Sequence, residues 1–168
     1  MTYLLYILIA LLLAFICYRE FWARRLLKQS HFAEFDGRLY RNGATYFAVR
    51  PGSAQQQATQ EAQPTQATQT PQKTVLCFPG FTEDMRYFQS LYQDIEAQLI
   101  LVNNADYHCA FPTDGLEELD WPANPYAVGT IEYDGYQVGQ IIKRFAATGD
   151  LVVHGHSRGG AVLLEVAR

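Results

Sequence analysis

"LVVHGHSRGGAVLL", Leu151 to Leu164, is the stretch that decides the fold. Aliphatic residues lead into Gly155-His156-Ser157-Arg158-Gly159, and a second apolar run leads out. A short run rich in Val and closed by glycine reads as a buried strand, Leu151 to Gly155. Gly159 to Arg168 reads as the helix that follows it. Between them a strained turn would lift the Ser157 hydroxyl above the sheet edge. Gly155 and Gly159 have no Cβ, which lets strand and helix backbones approach closely there. A Gly-x-Ser-x-Gly pentapeptide alone is a modest signal. Its place between a strand and a helix raises it.

Working outward, two more βα steps precede this one. "TVLCFPG" (Thr74 to Gly80) is a compact apolar strand ending in a Pro-Gly turn. Phe88, Leu91, Tyr92 and Ile95 then recur at helical spacing, with Thr82 as the expected cap. "LILV" (Leu99 to Val102) is a second buried-type strand, and a long loop with Pro112, Pro122 and Pro125 runs on to about Thr130. Asp134 and Gln137 resemble a capping box, with Asp in place of its usual Ser or Thr. Val138, Ile141, Ile142 and Phe145 mark that helix's apolar face, and Gly149 is expected to stop it. Strands buried on both faces and alternating with helices imply an α/β fold built on a parallel sheet. Before them, Asp36-Gly37 and Asn42-Gly43 are turn signals among aromatic and β-branched residues, which favours short antiparallel hairpin strands.

Two segments lie outside this pattern. Residues 53–73 hold Gln, Thr, Ala and Pro but no large apolar side chain, so they are expected to form a disordered insertion in a surface loop. Such an insertion is tolerated because closure entropy grows only with the logarithm of loop length. At the N-terminus, "TYLLYILIALLLAFICY" (Thr2 to Tyr18) carries no charge. It is at the short end of the roughly 17–25 residues that cross a bilayer as a helix. Tyr18, Phe21 and Trp22 stand where aromatic side chains favour the headgroup level. Residues 1–22 are therefore expected to be a single-pass membrane anchor. A cleaved signal peptide is the competing reading, but nothing basic precedes the apolar run and no small-residue cleavage site follows it. Arg19, Arg24, Arg25 and Lys28 follow the span, and such cations are retained on the cytoplasmic side, so the body is expected there.

Composition narrows the function. A chain of 168 residues fits one domain, and a net charge of −4 gives no basic footprint for nucleic acid. Cys17, Cys77 and Cys109 are too few and too scattered for a disulfide framework or a zinc site. They read as reduced thiols. No phosphate-cradling glycine loop ends in Gly-Lys, and no ligand spacing suits a metal, so no cofactor is expected.

A serine that attacks a carbonyl needs two N–H donors aimed at the oxyanion. One is the amide of Arg158, at the start of a helix whose free N–H groups favour negative charge. The second falls on the loop after the Thr74 strand, at Phe81, where Gly80 lets the backbone turn that amide inward. "VLCFPGFTED" and "VVHGHSRGG" together resemble the oxyanion loop and nucleophile elbow of the α/β-hydrolase superfamily of serine esterases, lipases and peptidases. The resemblance covers residues 32–168 less the Gln-rich insertion. Pro-Gly stands where the family usually has His-Gly. It implies that Ser157 is the nucleophile, forming an acyl-enzyme with an ester, thioester or amide. A histidine base and an orienting acid are implied to follow the serine in chain order. Neither follows here, so the expectation is the N-terminal part of a longer hydrolase, with the later strands of the sheet missing as well.

The remaining candidates have blander readings. His156 is adjacent to Ser157 and is expected to shape the elbow rather than act as base, and His154 to be a satisfied core histidine. Asp106 and His108 follow the second strand at the sheet's C-terminal edge, where they either border the pocket or cap a loop. Glu83 and Asp84 are expected in the first turn of a helix. Arg158's side chain either meets an anionic substrate group or is solvated. His31 has no visible chemistry. The leading expectation is a membrane-anchored serine hydrolase whose partners are the membrane and a small-molecule or lipid acyl substrate. An acyltransferase on the same fold and a catalytically inactive, membrane-tethered binding protein stay open.

Overall fold

A computed structural model describes residues 6, 9–19, 21, 35–53, 73–109, 111–146 and 149–168. The chain divides into two compact units, Met1–Ala33 and Glu34–Arg168. In the first, residues 9–19 are helical, and Leu11, Leu12, Leu13 and Phe15 are exposed. No helix among the described residues is long and apolar enough to cross a membrane. The span expected over Thr2 to Tyr18 reaches beyond the described residues, and Trp22, Arg24, Arg25, Lys28 and His31 lie outside them. The expected insertion over residues 53–73 also lies outside them, apart from its two ends.

The second unit is an α/β fold around a six-stranded mixed sheet. Its elements are β1 (Arg38–Asn42), β2 (Thr45–Arg50), β3 (Thr74–Phe78), α1 (Arg86–Leu91), β4 (Gln98–Val102), β5 (Glu117–Glu118), α2 (Ile131–Phe145), β6 (Leu151–Gly155) and α3 (Arg158–Val166). Across the sheet the order is β5-β1-β2-β4-β3-β6. β1 and β2 form the expected hairpin. The pairing of Asn42 with Thr45 leaves Gly43 and Ala44 as a two-residue loop, and Gly43 supplies its positive φ of 56°. β2 runs antiparallel to β4, whereas β4, β3 and β6 are mutually parallel.

The pleat of the central strands explains the layers. Val75, Cys77, Leu99 and Leu101 point to one face, where Met85 and Phe88 cover them. Leu76, Phe78, Ile100 and Val102 point to the other, against Val138 and Ile141 of α2 and Val162 of α3. Burying one such side chain contributes about 1.5–3 kcal/mol, and β3 and β4 are buried at every position. The chain leaves β3 toward β4 on one side and then returns past it to β6 on the other. Strand order therefore reverses between β3 and β6, the kind of switch point outside whose strand ends α/β sheets place a ligand crevice.

Several local expectations are corrected. α1 spans only Arg86–Leu91 and begins after Met85, because Thr82 sits in a turn at φ 72° and Asp84 folds back onto the Arg86 amide and guanidinium. Glu83 and Asp84 thus precede the helix instead of forming its first turn. α2 is capped by Thr130, whose hydroxyl accepts from the Tyr133 amide. Asp134 is inside that helix and fully buried. The helix ends at Phe145, ahead of Gly149. β5 carries only Glu117 and Glu118, both exposed, so no apolar pattern announces it. Among the described residues β6 pairs with β3 alone. Leu151, Val152 and Val153 on it are 40%, 44% and 46% exposed, unlike the fully buried strand expected from their apolar character.

The tightest packing is where α3 crosses the strand ends. A Cβ on Gly159 would lie 2.1 Å from the Phe78 carbonyl oxygen, and one on Gly155 would lie 2.6 Å from the Gly159 carbonyl. Gly159→Ala is accordingly expected to cost at least the roughly 1–3 kcal/mol of core overpacking, since the neighbouring atoms are backbone and cannot rotate aside. Urea denaturation against wild type measures it.

Candidate active site

Among the described residues three non-glycine positions have positive φ: Thr82 at 72°, Asp106 at 65° and Ser157 at 51°. Each lies on a loop that leaves the C-terminal end of a parallel strand, after β3, β4 and β6 respectively. Such backbone costs of order 1–3 kcal/mol per residue and persists only where its surroundings enforce it.

Ser157 is the tightest of these turns, with ψ at −117°. The His156 amide donates to the Phe78 carbonyl at 3.2 Å, the Gly159 amide to His156 O at 2.8 Å and the Gly160 amide to Ser157 O at 3.0 Å. These bonds close the turn between β6 and α3 and leave Ser157 exposed. Its hydroxyl makes no cap bond to the helix it precedes. A Cβ placed on Gly80 would be 3.3 Å from the Ser157 Cβ and 3.1 Å from His156 Nδ1, so the loop after β3 lies against the elbow.

That loop is pinned by its own hydrogen bonds. The Gly80 amide donates to Glu83 Oε2 at 2.9 Å, the Thr82 amide to the Tyr107 hydroxyl at 3.2 Å and the Glu83 amide to Gly80 O at 3.3 Å. Between Gly80 and Thr82, the Phe81 amide has no hydrogen-bond partner among the described residues, and neither has the Arg158 amide. The Phe81 side chain is 67% exposed.

The histidines are committed elsewhere. His156 Nδ1 pairs with Glu83 Oε2 at 2.9 Å, and its ring stacks on Tyr87. Slight burial opposes ionisation of Glu83, but hydrogen bonds from His156 and the Gly80 amide outweigh it and hold this carboxyl below its ordinary range. His154 Nδ1 meets the Tyr92 hydroxyl at 2.7 Å and lies edge-on to Phe88. No side chain among the described residues bonds to Ser157 Oγ. Burial pushes the Cys77 thiol up to about 12 and raises Cys109 as well, which removes both as thiolate nucleophiles at neutral pH.

Arg158 is neither solvated nor aimed at the crevice. Its Nη1 donates to Asp134 Oδ2 and to Asn104 Oδ1, each at 2.6 Å, and its Nη2 to the carbonyls of Gly129 and Thr130. Burial raises the Asp134 carboxyl, while the Arg158 guanidinium and the Ala105 amide pull it back. Asp106 and His108 border a cavity of about 390 Å³ with Arg41, Tyr46 and Tyr107, and Tyr107 ties its wall to the loop after β3. A cavity of about 430 Å³ along α2 and α3 has neither Ser157 nor Phe81 in its walls.

No sequence signal marks Asn104 or Tyr107, and Glu83 and Asp134 carry only the pattern of helix-start residues. No spacing rule links them, because apart from the Gly80 amide at Glu83 their partners are 21 to 73 residues away. No family model, curated protein or solved structure matches this chain.

Two substitutions probe the site's energetics. Ser157→Gly is expected to be about 1 kcal/mol more stable than Ser157→Ala, since relief of roughly 1–3 kcal/mol of strain exceeds glycine's entropic cost of about 0.5–1; thermal melts compare the two. Arg158→Met leaves the buried Asp134 carboxylate without a cation and is expected to cost roughly 3–5 kcal/mol in urea denaturation.

Proposed function

We propose that this chain carries the nucleophile elbow and oxyanion loop of a serine hydrolase of the α/β-hydrolase superfamily. The observation that carries the reading is Ser157 itself. It is a strained, exposed serine with an uncommitted hydroxyl, at the point where strand order reverses and against a loop with an uncommitted amide. Gly-His-Ser-Arg-Gly at 155–159 resembles the family's nucleophile elbow, and Phe-Pro-Gly-Phe at 78–81 its oxyanion loop with Pro-Gly for the usual His-Gly, which supports this reading.

In this mechanism Ser157 Oγ attacks the carbonyl carbon of an ester, thioester or amide as a base removes its proton. Negative charge moves to the carbonyl oxygen, where the Phe81 and Arg158 amides donate hydrogen bonds. Donors left unpaired in the resting protein stabilise that charge without first breaking a bond. Collapse expels the alcohol, thiol or amine with a proton, leaving Ser157 acylated, and water then releases the acid. The base and its orienting acid are required by the chemistry and are not among the side chains bonded to Ser157 in the described residues. A non-nucleophilic, membrane-tethered binding protein is the second reading, and that missing base contact favours it.

The uncharged N-terminal run and the basic residues after it support a membrane anchor with the body on the cytoplasmic side. Such an anchor makes acyl lipids the substrate class to try first. Treatment of native membranes with a fluorophosphonate probe, followed by peptide mass spectrometry, is expected to find the label on Ser157 and to lose it in Ser157→Ala. A Ser157 that stays unlabelled in the wild-type protein overturns the hydrolase reading in favour of the binding protein.

A further inference from the structure

We infer that Asn104, with Glu83, is a positioning residue for the oxyanion site, holding the Gly80–Phe81 peptide so that the Phe81 N–H faces the substrate. This role rests on the hydrolase reading above.

The argument starts from one peptide unit. Gly80 C=O and Phe81 N–H belong to the same planar trans amide, so they point in opposite directions. Whatever grips the carbonyl aims the N–H. Asn104 grips it: Nδ2 donates to Gly80 O at 2.9 Å, and Asn104 is only 2% exposed. A second, longer contact reaches Glu83 O at 3.5 Å. The orientation of the Asn104 amide is itself determined. Its Oδ1 accepts from Arg158 Nη1, and a flipped amide would set donor against donor and acceptor against acceptor. Arg158 is held in turn by Asp134, whose other oxygen accepts from the Ala105 amide at 3.2 Å. Asn104, Ala105, Asp134 and Arg158 therefore close a ring. It fixes the carbonyl behind one oxyanion donor and the side chain of the residue that supplies the other. On the opposite side of Gly80, Glu83 takes the Gly80 N–H. Held at both ends, the residue cannot swing the Phe81 amide away from Ser157.

The network also accounts for a buried ion pair that area arguments do not favour. Replacing such a pair by apolar side chains is often neutral or stabilising, so its use here is geometric: it links the loops after β3, β4 and β6 at the crevice.

The test is the rate constant for fluorophosphonate labelling of Ser157 in the full-length protein, separated into reversible probe affinity and bond-forming step, with a thermal melt on each variant. Asn104→Asp is nearly isosteric. It keeps an acceptor for Arg158 but sets a carboxylate oxygen where the donor to Gly80 O, and the longer one to Glu83 O, had been, so a purely structural role predicts a lower melting temperature with wild-type chemistry. Positioning predicts a bond-forming step slower by about tenfold or more, short of the roughly 10²–10³ lost with a whole oxyanion donor, at unchanged affinity. Glu83 is half-buried, and Glu83→Ala removes the acceptor of both the Gly80 N–H and His156 Nδ1; it is expected to slow labelling several-fold, and Glu83→Gln, which keeps an acceptor oxygen for both, to restore it. If Asn104→Asp does not fold, the Glu83 pair decides. Wild-type rates in the folded variants, or Glu83→Gln as slow as Glu83→Ala, overturn the positioning role while leaving Ser157 a nucleophile. An unlabelled wild-type protein overturns both.

Discussion

The approach of α3 to the ends of β3 and β6 constrains everything around it. The backbone at Gly159 lies so near the Phe78 carbonyl that no side chain fits between them, and Gly155 meets the same helix turn from below. With helix and strand this close, the connection has only His156 and Ser157 to reverse direction. One residue must then adopt a conformation that L-amino acids avoid, and Ser157 is that residue. Its strain is imposed by packing on both sides, and its exposure follows from the same geometry.

Strain of this kind needs support, and the support is polar. Around the crevice the backbone leaves the sheet ladder at three neighbouring points, so its amides and carbonyls lose regular partners. Asn104, Asp134, Arg158, Glu83 and Tyr107 replace those partners one by one. Burying Asp134 and Arg158 is costly by desolvation, and the cost is offset because both terminal guanidinium nitrogens and both carboxylate oxygens find a specific partner. The amides of Phe81 and Arg158 are among those left without a hydrogen-bond partner in the described residues. One follows the exposed serine directly and the other follows the glycine packed against it, which is why the proposed chemistry is assigned there rather than to either of the cavities lined by other residues.

The alternating order of strands and helices was legible because it rests on local pattern. Apolar runs such as Thr74–Phe78 and Leu151–Gly155, with glycine at the turns, fix element type within a few residues. The elbow was legible for the same reason, since Gly155, Ser157 and Gly159 act on each other across a single turn. The helix caps were misread where a tertiary partner outbid the local one. Asp134 has the chemistry of a cap but is drawn inward by Arg158 and the Ala105 amide. Glu83 is drawn back to Gly80 and His156 instead of sitting in a first turn. β5 had no pattern to read, because its two exposed glutamates depend on pairing with Tyr40 and Arg41.

The sequence by itself determined the α/β class, the hairpin at Gly43 and the serine turn, because each depends on side-chain periodicity or on glycines only a few residues apart. Tertiary structure alone decided the strand order, which reverses between β3 and β6. It also turned His154 and His156 away from Ser157, and it buried Arg158 against Asp134 and Asn104. Those outcomes depend on hydrogen bonds and charge pairs between residues far apart in the chain. Such contacts exist only after the sheet has brought its three loops to one edge.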